Sequence, residues 1–136
     1  MSLGLPHAKI RRTTDAVVDL GATTDDLFNI AGPLKVWRIG VHLVDEAKTT
    51  GTAWVLQVQS VTGTTETSLG TATGPNTLAV GGCTYKDFDV PLVVAEGAYL
   101  KVEVTTAGNT GQGLVWIEYE DLPMTKAYLD TLTEMA

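Results

Sequence analysis

The chain has 136 residues, a formal net charge of −7 and a hydrophobic fraction of 44%. A chain of this length suits a single domain, whose core can form without a metal or a disulfide. Its only cysteine, Cys83, has no partner for an intrachain disulfide. The acidic balance argues against binding to nucleic acid or to an anionic membrane, because both need clustered cations. No segment approaches the ~20 apolar residues of a membrane-spanning helix.

The residue pattern divides the chain into three parts: an N-terminal arm at residues 1–14, a β-rich domain at 15–122 and a C-terminal helix at 123–136. The arm carries the only compact basic run, Lys9, Arg11 and Arg12, which we expect to be a solvated charged surface.

Within the β-rich domain, apolar and polar residues alternate with a period of two, which predicts strands. In chain order, the expected strands cover residues 15–20, 26–30, 34–44, 53–61, 66–72, 77–80, 85–90, 99–105 and 114–120. Residues 92–97 are predicted to cross from one sheet to the other. Many short strands separated by turns predict an all-β fold, an antiparallel β-sandwich of about eight strands that is jelly-roll-like.

The aromatic residues of the predicted strands fall into two groups. Trp37 shares a predicted face with Ile39, and Trp54 lies in a similar apolar stripe, so both tryptophans are expected in the core. Trp116 shares its face with two glutamates, and Tyr99 shares one with a lysine and a glutamate. Aromatic residues on polar faces indicate burial between sheets, a protein interface or a carbohydrate platform, and all three interpretations stay open.

The last part of the chain predicts a short amphipathic helix. Asp121 can cap it, Pro123 opens it, and one face carries apolar residues at helical spacing. Those residues are Met124, Tyr128, Leu132 and Met135. The stripe could pack on its own domain or dock on a neighbouring subunit, and the sequence favours neither.

Residues that could carry chemistry are few and scattered. His7 and His42 lie far apart, and no Gly-x-Ser-x-Gly nucleophile motif accompanies them. Asp25 and Asp26, or Asp87 with Asp89, could supply oxygen ligands for calcium. Turn capping and solvated strand faces explain these carboxylates more simply. We therefore expect neither an enzyme nor a metal or other cofactor.

Residues 27–40, Leu-Phe-Asn-Ile-Ala-Gly-Pro-Leu-Lys-Val-Trp-Arg-Ile-Gly, resemble a pattern of small bacteriophage virion proteins. In that pattern a Leu-Phe pair, an apolar strand, a Gly-Gly-Pro and a second apolar strand follow one another. Ala31 stands here where the first Gly would be. Residues 94–102 are similar to late strands of the same sandwiches. The resemblance implies a head decoration, cement or fibre-like protein of a phage or prophage particle.

Such a protein would be a non-enzymatic homo-oligomer, with a trimer favoured, that binds other virion proteins. It would reside in the virion, and in the host bacterial cytoplasm during assembly. Its interface candidates are Trp116, Tyr99, Met124, Tyr128, Leu132 and Met135.

Two other functions stay open from the sequence. A carbohydrate-binding β-sandwich module would use Trp116 and Tyr99 as exposed aromatic platforms. A small enzyme on a jelly-roll scaffold would need a cluster of histidine and carboxylate ligands, which two distant histidines do not form.

Overall fold

The computed structural model describes residues 9–49 and 52–122, and these residues form nine β-strands. The strands are β1 (Ile10–Thr13), β2 (Val18–Asp19), β3 (Thr24–Ala31), β4 (Leu34–Glu46), β5 (Val55–Thr62), β6 (Thr65–Thr73), β7 (Cys83–Val94), β8 (Tyr99–Thr106) and β9 (Gln112–Asp121). Among these residues we find no helix, and so none that is long and apolar enough to cross a membrane. The helix predicted at 123–136 lies outside the described residues.

The strands form two antiparallel sheets that pack against each other. Sheet A has the order β1-β9-β4-β7, and the short strand β2 pairs with β9. Sheet B has the order β3-β8-β5-β6. The predicted all-β, antiparallel sandwich is therefore confirmed. The last residues of the predicted arm form β1, which lies along β9 at one edge of sheet A.

The core lies between the two sheets and is built from the inward side chains of both. Trp54 is 1% exposed and belongs to this core, as the sequence predicted. In β9, Val115, Ile117 and Tyr119 point inward, so the side chains of Trp116 and its neighbours at every second position point outward.

A bulge in β4 changes the predicted facing of Trp37. The register of β4 against both of its neighbours shifts between Val36 and Arg38. A bulge places two residues opposite one, so the alternation changes phase. Val36 and Ile39 are consequently both fully buried, whereas Trp37 is half-buried on the outward side. The prediction that Trp37 faces the core is wrong for this reason.

Strand β7 is also irregular. It pairs with β4 in sheet A as far as Asp87 and again from Leu92 to Val94. The next strand, β8, belongs to sheet B, so the chain does cross between the sheets near the predicted 92–97, at residues 95–98. The stretch between these paired parts contains Pro91 and leaves Val90 80% exposed. Residues 77–80 form no strand, although Leu78 makes an isolated bridge with Lys48.

The bulge generates a stability prediction. We expect Val36→Thr to lower the free energy of unfolding by about 1–3 kcal/mol, because it places a hydroxyl in the core without a partner. The matched control is Val93→Thr, the same change at a valine of sheet A that is 54% exposed. It should stay within about 0.5 kcal/mol. Urea unfolding measures both variants, and equally small losses would mean that Val36 does not face the core.

Candidate interaction surface

The outward side of sheet A, which we call face A, carries two rows of side chains that cross the sheet. The aromatic row contains Thr13, Trp116, Gly40 and Tyr85, from β1, β9, β4 and β7 in that order. The charged row lies next to it and contains Arg11, Glu118, Arg38 and Asp87 from the same four strands. Cation and carboxylate therefore alternate across the charged row.

The indole of Trp116 is covered within the chain and is only 4% exposed. On one side it lies against Gly40, where an added Cβ would come within 2.2 Å of the ring. The guanidinium of Arg11 lies 4.1 Å from the ring centroid, which is a cation–π distance. The ring of Tyr85 is 6.3 Å away and tilted by 43°. Trp116 thus supports two other side chains and presents little of its own surface.

The side chains that Trp116 supports are the exposed ones. Tyr85 is 56% exposed, and the side chain of Arg11 is 55% exposed. Arg11 donates a hydrogen bond from Nε to Glu118 at 3.1 Å. Arg38 forms an ion pair with Asp87, which raises the pKa of Arg38, and its guanidinium lies 4.4 Å from the centroid of Tyr85. Face A therefore presents an exposed tyrosine at the β7 edge together with two arginines, each paired with a carboxylate.

A third group of contacts extends face A toward the end of the sheet where β4 begins. Trp37 donates a hydrogen bond from Nε1 to Glu120 at 3.4 Å. The ammonium groups of Lys9 and Lys35 lie 4.6 and 4.9 Å from the centroid of the Trp37 ring. Val93 lies opposite Lys35 on β7 and is 54% exposed. The bulge in β4 is what brings Trp37 into this position.

The outward side of sheet B, which we call face B, is centred on Lys101. This lysine is 5% exposed, and its Nζ lies 2.8 Å from Asp25 and 2.7 Å from Glu66. Asp26 and Glu103 lie at 4.0 and 3.9 Å. Four carboxylates thus surround one ammonium group, and together they join β3, β6 and β8. The calcium-ligand interpretation of Asp25 finds no support, because Lys101 occupies the space between these carboxylates.

These contacts change the ionisation of the cluster. The hydrogen bonds to Asp25 and Glu66 raise the pKa of Lys101, and the hydrogen bond from Lys101 lowers the pKa of Asp25. Burial raises the pKa of Glu103, and the nearby carboxyl of Asp25 adds to this shift. No group of three or more His, Cys, Asp or Glu side chains suited to a metal ion occurs in the described part of the chain.

The structure separates the two aromatic interface candidates. Trp116 lies on face A, whereas Tyr99 lies on face B, opposite Val61 and Ala31 and half-buried. The two rings therefore cannot form one carbohydrate platform. The other candidates, Met124, Tyr128, Leu132 and Met135, lie outside the described residues.

Sequence reasoning missed the side chains that complete face A. It assigned Arg11 to a solvated run and gave Tyr85 and Arg38 no role. The alternation of β9 could have indicated part of this surface, because it places Trp116 and Glu118 on the same face of the strand. Nothing local shows that Arg11 is the partner of Glu118, because 107 positions separate them.

No protein-family model and no curated protein matches the chain. A structural similarity exists to a chain in the structure of infectious bursal disease virus, Gx strain, with 11% sequence identity and a TM-score of 0.20. It covers 88% of this chain and 36% of that chain, so this chain spans about a third of the other's length. At this TM-score the similarity carries no argument about fold or function.

The contact between the guanidinium of Arg11 and the indole of Trp116 leads to a testable prediction. Arg11→Ala should expose one face of the indole and shift the indole N–H resonance of Trp116 in NMR spectra. It should also lower the free energy of unfolding by about 0.5–1 kcal/mol, as expected for an exposed cation–π contact. Arg12→Ala removes the neighbouring charge of β1 and should leave that resonance in place. A shift with Arg12→Ala and none with Arg11→Ala would contradict the contact.

The Lys101 cluster predicts a pH dependence. Because the pKa of Asp25 is lower in the folded than in the unfolded state, its stabilising contribution is complete above the ordinary aspartate value and disappears as the pH falls through the folded value. Asp25→Asn should therefore destabilise the protein at pH 7 and do so progressively less as the pH falls toward 2. Denaturant titrations across this range test it, with Asp45→Asn as an exposed control. A loss at Asp25→Asn that is the same at both pH values would contradict the ion pair.

Proposed function

We propose that this chain is a non-enzymatic structural protein of a phage or prophage particle, which binds a capsid or tail surface through oligomeric contacts. The observation that carries the proposal is the nesting of its strand pairs. The pairs are β1 with β9, β3 with β8, β4 with β7 and β5 with β6. Strands from the start of the chain therefore pair with strands from its end. From the outermost pair to the innermost, the four pairs lie in sheets A, B, A and B.

This order is the one expected for a jelly roll, in which a long antiparallel hairpin wraps into two sheets. Jelly rolls occur in viral capsid proteins, lectins and cupins. The architecture supports the virion interpretation of the Leu-Phe and Gly-Pro resemblance at residues 27–40. Fold analogy alone does not establish a function, so the surface must supply the second argument.

The composition of face A supports a protein interface. Trp, Tyr and Arg are the residues that most often dominate binding energy at protein interfaces. Face A brings Trp116 and Tyr85 together with Arg11 and Arg38, and Tyr85 projects as its most exposed aromatic ring. Because Trp116 is held from both sides, the side chains above it are positioned before any partner arrives, which lowers the entropic cost of binding.

A carbohydrate-binding module is the second candidate function, and one observation favours it. Tyr85 is an exposed aromatic ring beside Arg38 and Asp87, which offer hydrogen-bonding groups. The covered indole of Trp116 is not available for stacking on a sugar. If this function holds, the wild-type chain gives a signal on a glycan array and Tyr85→Ala abolishes it. A purely structural function predicts no glycan-array signal from the wild-type chain.

The virion function predicts that the chain is present in particles. Density-purified particles, induced from a strain carrying the gene, should contain the chain in many copies by quantitative mass spectrometry. Tyr85→Ser should reduce its copy number per particle about tenfold, as expected for loss of one central interface residue. Val80→Ser is the control, at a valine that is 52% exposed and outside face A. Absence of the wild-type chain from purified particles would overturn the proposal.

A further inference from the structure

Strand β7 carries half of the large hydrophobic side chains that are exposed in the described residues. Six such side chains are exposed, and three of them, Tyr85, Val90 and Val93, lie on β7. Val90 is 80% exposed and Val93 is 54% exposed. The strand forms one edge of sheet A, and its outer side has no strand partner within residues 9–49 and 52–122. Folded proteins usually protect such an edge, often by covering it with a helix or a loop.

The chain leaves the described structure beside this edge. Asp121 of β9 lies opposite Leu34 of β4, which in turn lies opposite Val94 at the end of β7. The N–H of Leu122 donates a hydrogen bond to the carbonyl oxygen of Pro33 at 3.1 Å, which fixes the last described residue at this end of the sheet. Because β9 and β7 are separated only by β4, residue 122 is two strand spacings, about 10 Å, from the end of β7.

The residues that follow have a surface that matches this edge in character and in length. Their helical spacing predicts one apolar stripe, formed by Met124, Tyr128, Leu132 and Met135. A helical stripe from residue 124 to residue 135 is about 17 Å long. Along β7, Val90 lies about 10 Å from Val93, and Tyr85 about 26 Å from it. A stripe that starts at the end of β7 and runs back along the strand therefore covers both valines and ends short of the tyrosine.

Other segments are less well placed to cover the valines. Strand β1, which residues 1–8 precede, lies at the opposite edge of sheet A, three strand spacings or about 14 Å from β7. A second copy of the chain would have to bind at its free concentration. A segment attached about 10 Å away has a far higher effective concentration, as long as its connection spans the gap.

We infer that residues 123–136 lie along β7 of their own chain, with the apolar stripe covering Val90 and Val93. The contact closes the β7 edge of sheet A against pairing with another strand. It leaves Tyr85 exposed on face A, where a partner can reach it. The inference goes beyond the proposed function and does not depend on it, because it concerns a contact within one chain.

The test measures how fast a thiol at position 93 of the full chain reacts with a maleimide. Val93→Cys combined with Cys83→Ser leaves this thiol as the only one, since Cys83 is the sole cysteine. Adding Tyr128→Ser and Leu132→Ser removes the middle of the stripe. Labelling should then become about tenfold faster, because the thiol reacts only while the segment is released and the two serines favour release.

The matched control changes the other side of the predicted helix. Lys126→Ser combined with Asp130→Ser alters two residues without changing the net charge, and should leave the labelling rate within about twofold. Val80→Cys, at a valine that is 52% exposed and outside β7, should react equally fast with and without the stripe substitutions. The near-UV circular dichroism of Trp54, which lies between the sheets, should be the same in every variant.

Faster labelling at position 93 with the stripe substitutions, and not with the control pair, supports the inference. Equal rates in all of these chains would overturn it, as would the same acceleration by the control pair. Protection of the thiol should not change over about a hundredfold range of protein concentration, because the segment and β7 belong to one chain. Protection that develops only at high concentration would assign the stripe to a second copy and would likewise overturn the inference.

Discussion

The bulge in β4 is the constraint on which both sides of sheet A depend. Strand β4 is paired along both edges, and its register shifts at the same position against β7 and β9. Without this shift, strict alternation would move either Val36 or Ile39 out of the core. With it, both ends of the strand contribute to the core, Arg38 lies level with Glu118, and Trp37 reaches Glu120. One extra residue in a central strand thus sets the core and the outer surface together.

The two outer faces differ in how their charges are compensated. On face A, cations and carboxylates alternate from strand to strand, so neighbouring charges are paired within the chain. On face B, the ammonium group of Lys101 is surrounded by carboxylates, which permits a lysine that is 5% exposed but leaves negative charge in excess. A chain with a net charge of −7 therefore concentrates part of its charge on one side of the sandwich.

Two aromatic residues of face A differ in their exposure: Trp116 is buried beneath its neighbours, and Tyr85 is exposed. Trp116 is covered by Arg11 above and lies against Gly40 below, where only a residue without a side chain leaves room for the indole. Tyr85 leans on this support and projects outward. The proposed interface on face A would lose little side-chain freedom on binding, because its exposed groups are already held by buried ones. Trp116, which the sequence indicated as an interface candidate, is thus less accessible than Tyr85, to which the sequence gave no role.

Alternation in the sequence was sufficient to predict the strands around residues 34–44, 53–61, 99–105 and 114–120, and the outward position of Trp116. The facing of a residue in a regular strand is a local property with a period of two, so it can be read from the chain itself. The bulge at Trp37, the continuous course of β7 and the separation of Trp116 from Tyr99 depend on which strands become neighbours. Those neighbours are distant along the chain, and only the tertiary structure brings Arg11 and Gly40 to the two sides of Trp116.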